Sequence, residues 1–551
     1  MKRFSCTFPI PGGATLAAGL LLALTHPVNA AEVHGTLGAD TTWTAADSPY
    51  LLTAPVTVAA GVTLRVEPGA VVHFSKGVDL VITNGARMLA EGTAEKRIRF
   101  SRPPGRRERW GGIVIAGAVD SPETRLTHVH IEGNDFSAIY SAHGTLFLDQ
   151  VTFGTRDRQF MSLDGSSFLV QHCHFQNTTG EFEPLHGTGG VKQGGRGIFR
   201  ECFFGISDGY SDIIDFTGGN REKGQPVVQF YNNVFMGSTD DELDLDGTDA
   251  WVEGNIFLHS HKNGAPDTSS AVSGGDNAND TSQVTLVRNI FFDCDQAATA
   301  KEGNFFTMIN NTIVHMTKEG GLDTTDGAIC VRDLDPRPTT FGVGFYMEAN
   351  IIVDVTQLVK NYEAKETTVT FNNNLLAMDW AGPGSGNFTG DPKFKHVPTL
   401  AETRFTNWAG AQVIRDWLSL QPDSPARGKG PNGRDLGAVV PGGVGISGEP
   451  AGTTDQRTAQ LLVGFNRQGS GIPSAGWPLG AGYTHYKWRL DGGAWSPETS
   501  IEEKISLTGL KDDTHAVEVI GKRDSALYQD DPQLGEEAVV SRSKSWTVQG
   551  R

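Results

Sequence analysis

The residues best suited to chemistry lie in one acidic stretch, Asp240-Asp-Glu-Leu-Asp-Leu-Asp-Gly-Thr-Asp249. Side chains of a β-strand alternate between its two faces, and those on one face lie about 7 Å apart. The alternation predicts two inward leucines and three outward acidic residues: Leu243 and Leu245, and Glu242, Asp244 and Asp246. Carboxylates arranged in this way bind cations or serve as acid and base groups.

A second acidic phrase with the same spacing lies 29 residues upstream. Asp212-Ile-Ile-Asp215-Phe matches Asp241-Glu-Leu-Asp244-Leu, so stacking of the two phrases would bring four carboxylates together. Like charges on neighbouring strands repel, and the cluster therefore needs a cation, a shared proton or a basic neighbour. We predict Ca²⁺; the alternative is a hydrated acidic face that Lys or Arg side chains from the loops partly neutralise.

An internal repeat provides the elements that would stack these phrases. An Asn followed by two apolar residues recurs with separations of 22, 34, 22, 39 and 24 residues, at Asn233, Asn255, Asn289, Asn311, Asn350 and Asn374. The same slot extends upstream to Cys202, Cys173, Val151 and Val129. A period near 22 residues predicts parallel coils about 4.8 Å apart, with the Asn side chains forming an internal ladder. Cys173 and Cys202 are expected to pack without bonding, because in-register parallel neighbours rarely suit disulfide geometry.

Length and composition agree with an all-β solenoid that carries an appended domain. The 551 residues include 68 glycines and only 20% charged residues, which favours many short strands separated by turns. The predicted boundaries are a signal peptide at 1–30, an N-terminal cap and first coils at 31–110, the β-helix at 111–396, its C-terminal edge at 397–445, a Gly/Pro-rich linker at 446–458 and a β-sandwich at 459–551.

Several phrases carry a resemblance to a known family. The stretch around Val62-Thr-Leu-Arg-Val-Glu-Pro-Gly69, with Gly390-Asp-Pro-Lys-Phe394 and Asp435-Leu-Gly-Ala438, resembles secreted bacterial right-handed parallel β-helix repeat proteins of the pectate-lyase-like superfamily. The alternating stretch around Asp491-Gly-Gly resembles a fibronectin type III-like sandwich. These resemblances imply a right-handed parallel β-helix followed by a small β-sandwich, and they specify fold better than activity.

The acidic phrases are similar to those of calcium-dependent pectate lyases of the β-helix type. The resemblance implies that Asp212, Asp215, Asp241 and Asp244 bind Ca²⁺, and Asp246 joins them from its place on the same face. In those lyases the metal bridges a uronate and acidifies its C5 proton, and a Lys or Arg then removes this proton before β-elimination.

The base is where this chain departs from the lyase pattern. Those lyases have a Phe-Lys-x-Gly-Gly phrase in the next coil, whereas this chain reads Ala271-Val-Ser-Gly-Gly275. The candidates for the base are Lys262 and Lys301, and Lys192 lies one coil before the acidic cluster. For each lysine the alternative is a solvated surface charge.

Other residues support weaker hypotheses. The same aspartates could hydrolyse glycosidic bonds as a carboxylic acid pair, although the Asn-Thr-Asp and Gly-His-Gly phrases of polygalacturonases are missing. Tyr210 and Trp251 are the predicted sugar-stacking platforms. Two His-x-His pairs, at His128 and His172, could ligate a metal but are expected to cover the core.

The N-terminus and the overall charge restrict the partners. Lys2 and Arg3 precede the apolar run Ala14–Leu24, and small residues precede Ala30, which is typical of a cleaved signal peptide. Cleavage leaves 44 basic against 64 acidic residues, a net charge of −20. This charge disfavours nucleic acid and anionic membranes, and no later segment is predicted to span a membrane.

The predicted function is that of a secreted or cell-surface bacterial β-helix protein that acts on polysaccharide or cell-wall glycan. We expect it to be a monomer. The leading hypothesis is a Ca²⁺-assisted lyase, or a related enzyme, on an acidic polysaccharide. The alternative is a non-catalytic structural or adhesive protein, in which Ca²⁺ links coils and the terminal sandwich docks to a matrix.

Overall fold

The computed structural model describes residues 30–209, 211–219, 224–262, 269–316, 327–334, 337–430, 433–464, 483–523, 527–532 and 539–550. The predicted signal peptide lies outside the described residues. Within them the chain forms a right-handed parallel β-helix followed by small antiparallel sheets, as predicted. No helix in these ranges is long and apolar enough to cross a membrane.

Three parallel sheets run along the β-helix, and the first two join at its N-terminal end to form 26 strands. Sheet 1 contains Ala31–Leu37, Tyr50–Val58, Val71–Phe74, Ile98–Ser101, Val129–Ile131, Thr152–Phe153, His174–Phe175, Phe203–Phe204, Val234–Phe235, Ile256–Leu258, Ile290–Phe292, Thr312–Met316, Ile351–Val355, Leu375–Leu376 and Phe388–Thr389. Sheet 2 contains Leu80–Ile82, Ile113–Ala116, Ile139–Ala142, Met161–Asp164, Leu185–Thr188, Ile214–Thr217, Leu243–Asp244, Ser270–Gly274, Gln296–Ala300, Ile329–Cys330 and Val359–Lys360.

Sheet 3 has 14 strands and lies across the coil from the other two. Its strands are Thr41–Trp43, Thr63–Val66, Arg87–Glu91, Thr124–Thr127, Thr145–Asp149, Ser167–Gln171, Gly197–Arg200, Val228–Tyr231, Ala250–Glu253, Gln283–Val287, Phe305–Ile309, Gly344–Glu348, Thr368–Asn372 and Gly384–Ser385. A short parallel pair, Thr178–Thr179 and Ser207–Asp208, forms at a corner between sheets 1 and 2.

The Asn slot forms the internal ladder that the repeat predicts. Asn255 N and Nδ2 both donate to Asn289 Oδ1, at 2.8 and 3.1 Å, and Asn289 Nδ2 donates to Val252 O at 2.9 Å. Each Asn of the series makes the equivalent contact with the next coil, and the ladder continues one coil further, to Asn387. The predicted register is therefore confirmed from Val129 to Asn374.

The apolar positions of the repeat fill the interior of the coils. Phenylalanines two residues after the slot stack nearly parallel, with ring centroids 4.7 to 5.0 Å apart, at Phe153, Phe175, Phe204, Phe235, Phe257 and Phe291. This spacing is the separation of neighbouring strands, so each ring covers the one below it. Cys173 and Cys202 are buried and unbonded, as expected.

We expect Asn289→Ala to lower the free energy of unfolding by about 2–4 kcal/mol, because it removes the acceptor of the buried Asn255 N–H and the side-chain donor to Val252 O. Chemical denaturation measures the loss. The matched control is Asn387→Ala at the partly exposed end of the ladder, which should cost clearly less. Equal losses at the two positions would contradict a buried ladder.

Beyond the last coil the chain turns back and covers the outer face of sheet 1. This return segment, residues 394–438, contains the short helices Trp408–Ala411 and Val413–Trp417. Its apolar side chains pack on outward residues of sheet 1 from Phe203 to Leu375, and Trp408 Nε1 donates to Asn232 O. The predicted C-terminal edge thus runs along the side of the β-helix.

The C-terminal unit consists of small sheets with the strands Ile446–Ser447, Thr453–Thr454, Thr458–Val463, Tyr483–Leu490, Thr499–Ser500, Ile505–Thr508, Asp513–His515, Val517–Arg523, Ser541–Arg542 and Trp546–Val548. The first two strands fall within the predicted linker, and they pair with Leu462–Val463 and Thr547–Val548. The core of the unit is continuous with apolar residues on the outer face of sheet 3, among them Ile198, Tyr231 and Trp251. The unit is therefore packed against the β-helix.

Candidate functional site

The outer face of sheet 2 gathers the acidic phrases as the repeat predicts. Asp215 pairs directly with Asp244 on the neighbouring strand, and Ile214 with Leu243. The two apolar residues are fully buried and face the core, which turns the aspartates outward. Just before these strands, Asp241 N donates to Asp212 Oδ1 at 2.8 Å.

Three carboxylates come together at the turn that precedes the two strands. One carboxylate oxygen from each of Asp212, Asp240 and Asp241 lies within 4.8 Å of the other two; we call this group the acidic triad. Asp241 Oδ1 accepts from Ser270 N at 2.7 Å, so the backbone of consecutive coils holds Asp212 and Asp241 in place. Hard oxygen ligands at this spacing suit a cation such as Ca²⁺.

Burial raises the pKa values of Asp212, Asp241 and Asp244. It raises the pKa of Asp241 to about 7, with a further contribution from the charge of Asp240, while Lys301 and Lys262 oppose the shift. Burial and neighbouring carboxylates also raise the pKa values of Asp212 and Asp244 well above their usual range. The cluster therefore resists full ionisation unless positive charge is added.

Two carboxylate oxygens on the same face are buried without a hydrogen-bond partner. Asp244 Oδ1 and Asp246 Oδ1 accept no hydrogen bond from the described residues. Burying such an acceptor unpaired is costly. A proton or a bound cation would stabilise both oxygens.

Both candidate lysines contact carboxylates. Lys262 Nζ donates to Asp240 Oδ1 of the triad at 2.6 Å, and Lys301 Nζ lies 3.1 Å from Asp333 Oδ2. Burial lowers the pKa of Lys301, but Asp333 and the aspartates at 241, 244 and 246 outweigh it and raise the pKa well above its usual range. The positive charge of Lys301 thus offsets part of the negative charge of the acidic face, and Lys301 is stable in its protonated form.

A second group lies beside the triad. His186 Nδ1 is 3.1 Å from Asp215 Oδ2 and 3.9 Å from Glu183 Oε2, and the nearby Asp215 carboxylate raises the pKa of His186. The three ligand atoms lie within 4.8 Å of one another. The aspartates predicted to bind one cation therefore fall into two groups. Asp215 lies with His186, and Asp212 and Asp241 form the triad with Asp240.

Sequence reasoning missed Asp240, Glu183 and His186. His186 lies 29 residues before Asp215, the same separation as between Asp212 and Asp241. His186 and Asp215 are directly opposite each other on paired strands. Applying the coil register to every acidic or histidine position would have found this contact.

The prediction that Glu242 faces outward is wrong. Leu243 pairs with Ile214 in the preceding coil and with Val272 in the following coil. Glu242, one residue earlier, is therefore aligned with Ile213 and Ala271, which both belong to the hydrophobic core. The side chain is 0% exposed, and both carboxyl oxygens lack hydrogen-bond partners among the described residues. Alternation fails here because position 242 belongs to the turn that precedes a two-residue strand.

We expect Glu242→Gln to raise the melting temperature, by an amount that grows with pH. Burial raises the pKa of Glu242 well above its ordinary value of 4.5, so below about pH 4.5 the carboxyl is protonated in both states. As the pH rises towards the folded-state pKa, the unfolded state loses this proton first, and the wild-type protein becomes less stable. Melting curves at several pH values measure the difference, and a pH-independent difference would contradict this account. The exposed Glu502→Gln is the control.

The predicted aromatic platform at Trp251 is buried in an interface. Tyr210 lies outside the described residues. Trp251 is only 1% exposed; its Nε1 donates to Glu253 Oε2 at 2.8 Å, and its ring packs edge-on against Tyr483 of the C-terminal unit. Trp251 is on sheet 3 beneath that unit, so the interface takes the surface that a sugar would need.

Lys192 and His172 make contacts that join neighbouring coils. Lys192 Nζ donates to Ala118 O, His143 O and Thr145 Oγ1, which ties neighbouring coils together. Hydrogen bonds to Asp149 and Glu201 raise the pKa of His172 to about 9. These groups stabilise coil contacts away from the triad.

Comparison with known proteins supports the fold. The family model described as a pectate-lyase like beta helix domain matches residues 35–134. No curated protein matches the chain. The fold defines the class, a parallel β-helix protein, and the matched model shows that residues 35–134 are similar to pectate-lyase-like β-helix domains. The match ends before the acidic triad, so it carries no information on the triad.

Proposed function

We propose that the protein is a secreted bacterial enzyme that cleaves acidic polysaccharide on the outer face of sheet 2, as a Ca²⁺-assisted lyase. The observation that carries the proposal is the acidic triad, with Lys262 in direct contact and Lys301 held by the charges of the same face. An acidic protein can bind an acidic glycan through a bridging cation and local positive charge.

The donor set of the triad fits Ca²⁺. All three ligands are carboxylate oxygens, the ligands Ca²⁺ prefers, and the raised pKa values of Asp212 and Asp241 favour a bound positive charge. Asp212, Asp240 and Asp241 would hold the ion. Positive charge at this position would attract a uronate carboxylate and acidify the adjacent C–H.

The side chains around the triad have distinct parts in this proposal. Lys262 is the candidate base, since its Nζ contacts the triad at Asp240. It must leave this ion pair and lose its own proton before it can accept one from the sugar. Lys301 remains protonated and attracts the glycan carboxylates. The base takes the proton from C5, the electron pair of that bond forms the C4=C5 double bond as the C4–O bond breaks, and the released glycan oxygen takes a proton from water.

Two alternative functions are each favoured by a specific observation. The pKa of Asp241, about 7, suits a general acid at neutral pH and favours hydrolysis by a carboxyl pair. The ion pairs of both lysines favour a non-catalytic protein in which a cation links coils.

Incubation with polygalacturonate and with alginate, with Ca²⁺ or with a chelator, separates these functions. The lyase produces ultraviolet-absorbing unsaturated ends only with Ca²⁺, a hydrolase produces reducing ends without that absorbance, and a structural protein produces neither. Asp164→Asn, on the same outer face three coils upstream, is the control that should retain activity. The absence of new ends on every uronate with Ca²⁺ present would refute cleavage.

A further inference from the structure

A cleft opens between sheet 1 and the beginning of the return segment. Its volume is about 360 Å³, and its lining includes Arg156, His174, Phe203, Arg404 and Phe405. The first three come from successive coils, and the last two from the return segment. The cleft thus exists only because the segment folds back on the β-helix.

The floor of the cleft is apolar and partly aromatic. Phe203 and Met236 are buried, and the His174 ring stacks on Phe203 with centroids 5.0 Å apart and an interplanar angle of 19°. Flat apolar surfaces next to a few polar groups are typical of small-ligand sites. A sugar ring has an apolar face that fits such a floor.

Two guanidinium groups line the cleft from opposite sides. Arg156 and Arg404 are both exposed, and across the described ranges neither side chain has an acidic partner, in a chain of net charge −18. Asn177, which also lines the cleft, is fixed, because its Oδ1 accepts from Ile206 N at 3.1 Å. Guanidinium groups bind carboxylates through paired, charge-assisted hydrogen bonds.

The cleft lies in the same coils as the acidic triad. Gln176 and Asn177 precede Glu183 and His186 in one coil, and Ile206 precedes Asp212 in the next. One corner of the coil separates the two sites. A glycan that crosses the outer face of sheet 2 can therefore reach the cleft.

We propose that this cleft binds a uronate residue of an acidic polysaccharide, with the sugar ring on Phe203 and the carboxylate between Arg156 and Arg404. The proposal rests on the proposed function for its ligand class. It adds a cation-independent subsite, since the arginines supply the positive charge themselves.

Calorimetric titration with a galacturonate oligosaccharide in the presence of a chelator tests the subsite. We expect Arg156→Gln and Arg404→Gln each to weaken binding by about tenfold or more, the loss of one charge-assisted contact. Arg65→Gln, an exposed arginine on sheet 3, should leave the affinity unchanged. A neutral galactose oligosaccharide should bind more weakly than the uronate.

Three outcomes would overturn the subsite: unchanged affinity in both arginine variants, equal binding of the neutral oligosaccharide, or equal competition by inorganic sulfate, which would indicate a general anion site. Asp241→Asn should retain binding under chelation. Arginine-dependent binding in a protein that cleaves no uronate would refute only the proposed function, and cleavage without this binding would refute only the subsite.

Discussion

Asp241→Asn is expected to reduce cleavage of acidic polysaccharide by about a hundredfold or more. The carboxylate belongs to the acidic triad, accepts from Ser270 N, and has a pKa raised to about 7. The amide preserves the shape and the hydrogen bond from Ser270, but it removes the negative charge that a cation needs. Initial rates across a Ca²⁺ titration measure the effect.

The Ca²⁺ dependence separates two roles of Asp241. A ligand role predicts that excess Ca²⁺ partly restores the rate of the variant, and a general-acid role predicts a lower rate at every concentration. Asp164→Asn should remain active, and its melting temperature and that of Asp241→Asn show whether both fold. Full activity of Asp241→Asn would exclude the triad from the reaction.

Arg523→Ala is expected to lower the free energy of unfolding of the C-terminal unit by about 3–5 kcal/mol. Arg523 is 1% exposed and its Nη2 lies 3.0 Å from Glu253 Oε2 of sheet 3. Burial alone would raise the pKa of Glu253, but Arg523 and Arg288 lower it to about 2. Removal of Arg523 leaves the buried Glu253 carboxylate with only part of the positive charge that offsets it. Denaturant unfolding followed by Trp fluorescence measures the change.

A surface pair in the same unit provides the matched control. Arg457 lies 2.5 Å from Asp512, and both side chains are about half exposed, so Arg457→Ala should cost less than about 1 kcal/mol. The double variant Glu253→Gln with Arg523→Met should recover much of the loss, since it removes both buried charges. Similar losses for Arg523→Ala and Arg457→Ala would contradict an ionic anchor between the unit and the β-helix.

The fold could be predicted because the repeat contains its own register. Once Asn233 and Asn255 occupy one slot, the residues that follow the slot have fixed neighbours in the next coil, as Val234 has in Ile256. The contact between Asp212 and Asp241, which are 29 residues apart, follows from matching the two acidic phrases in neighbouring coils. These are local consequences of stacking, which a single sequence contains.

The misplaced residues depend on geometry that the repeat does not encode. Glu242 lies at a turn where consecutive side chains both face the core, so a period of two does not apply. Trp251 is covered by a unit that begins almost 200 residues later, and Arg523 is 270 residues from its partner Glu253. Contacts between separately formed units have no periodic signal in the chain.

A crystal structure with Ca²⁺ and a uronate oligosaccharide tests the central claim most directly. The account predicts one ion bound by Asp212, Asp240 and Asp241, a sugar carboxylate that completes its coordination, and Lys262 Nζ released from Asp240 towards the sugar. An oligosaccharide bound elsewhere, with Lys262 still paired to Asp240 and no ion on the triad, would contradict it.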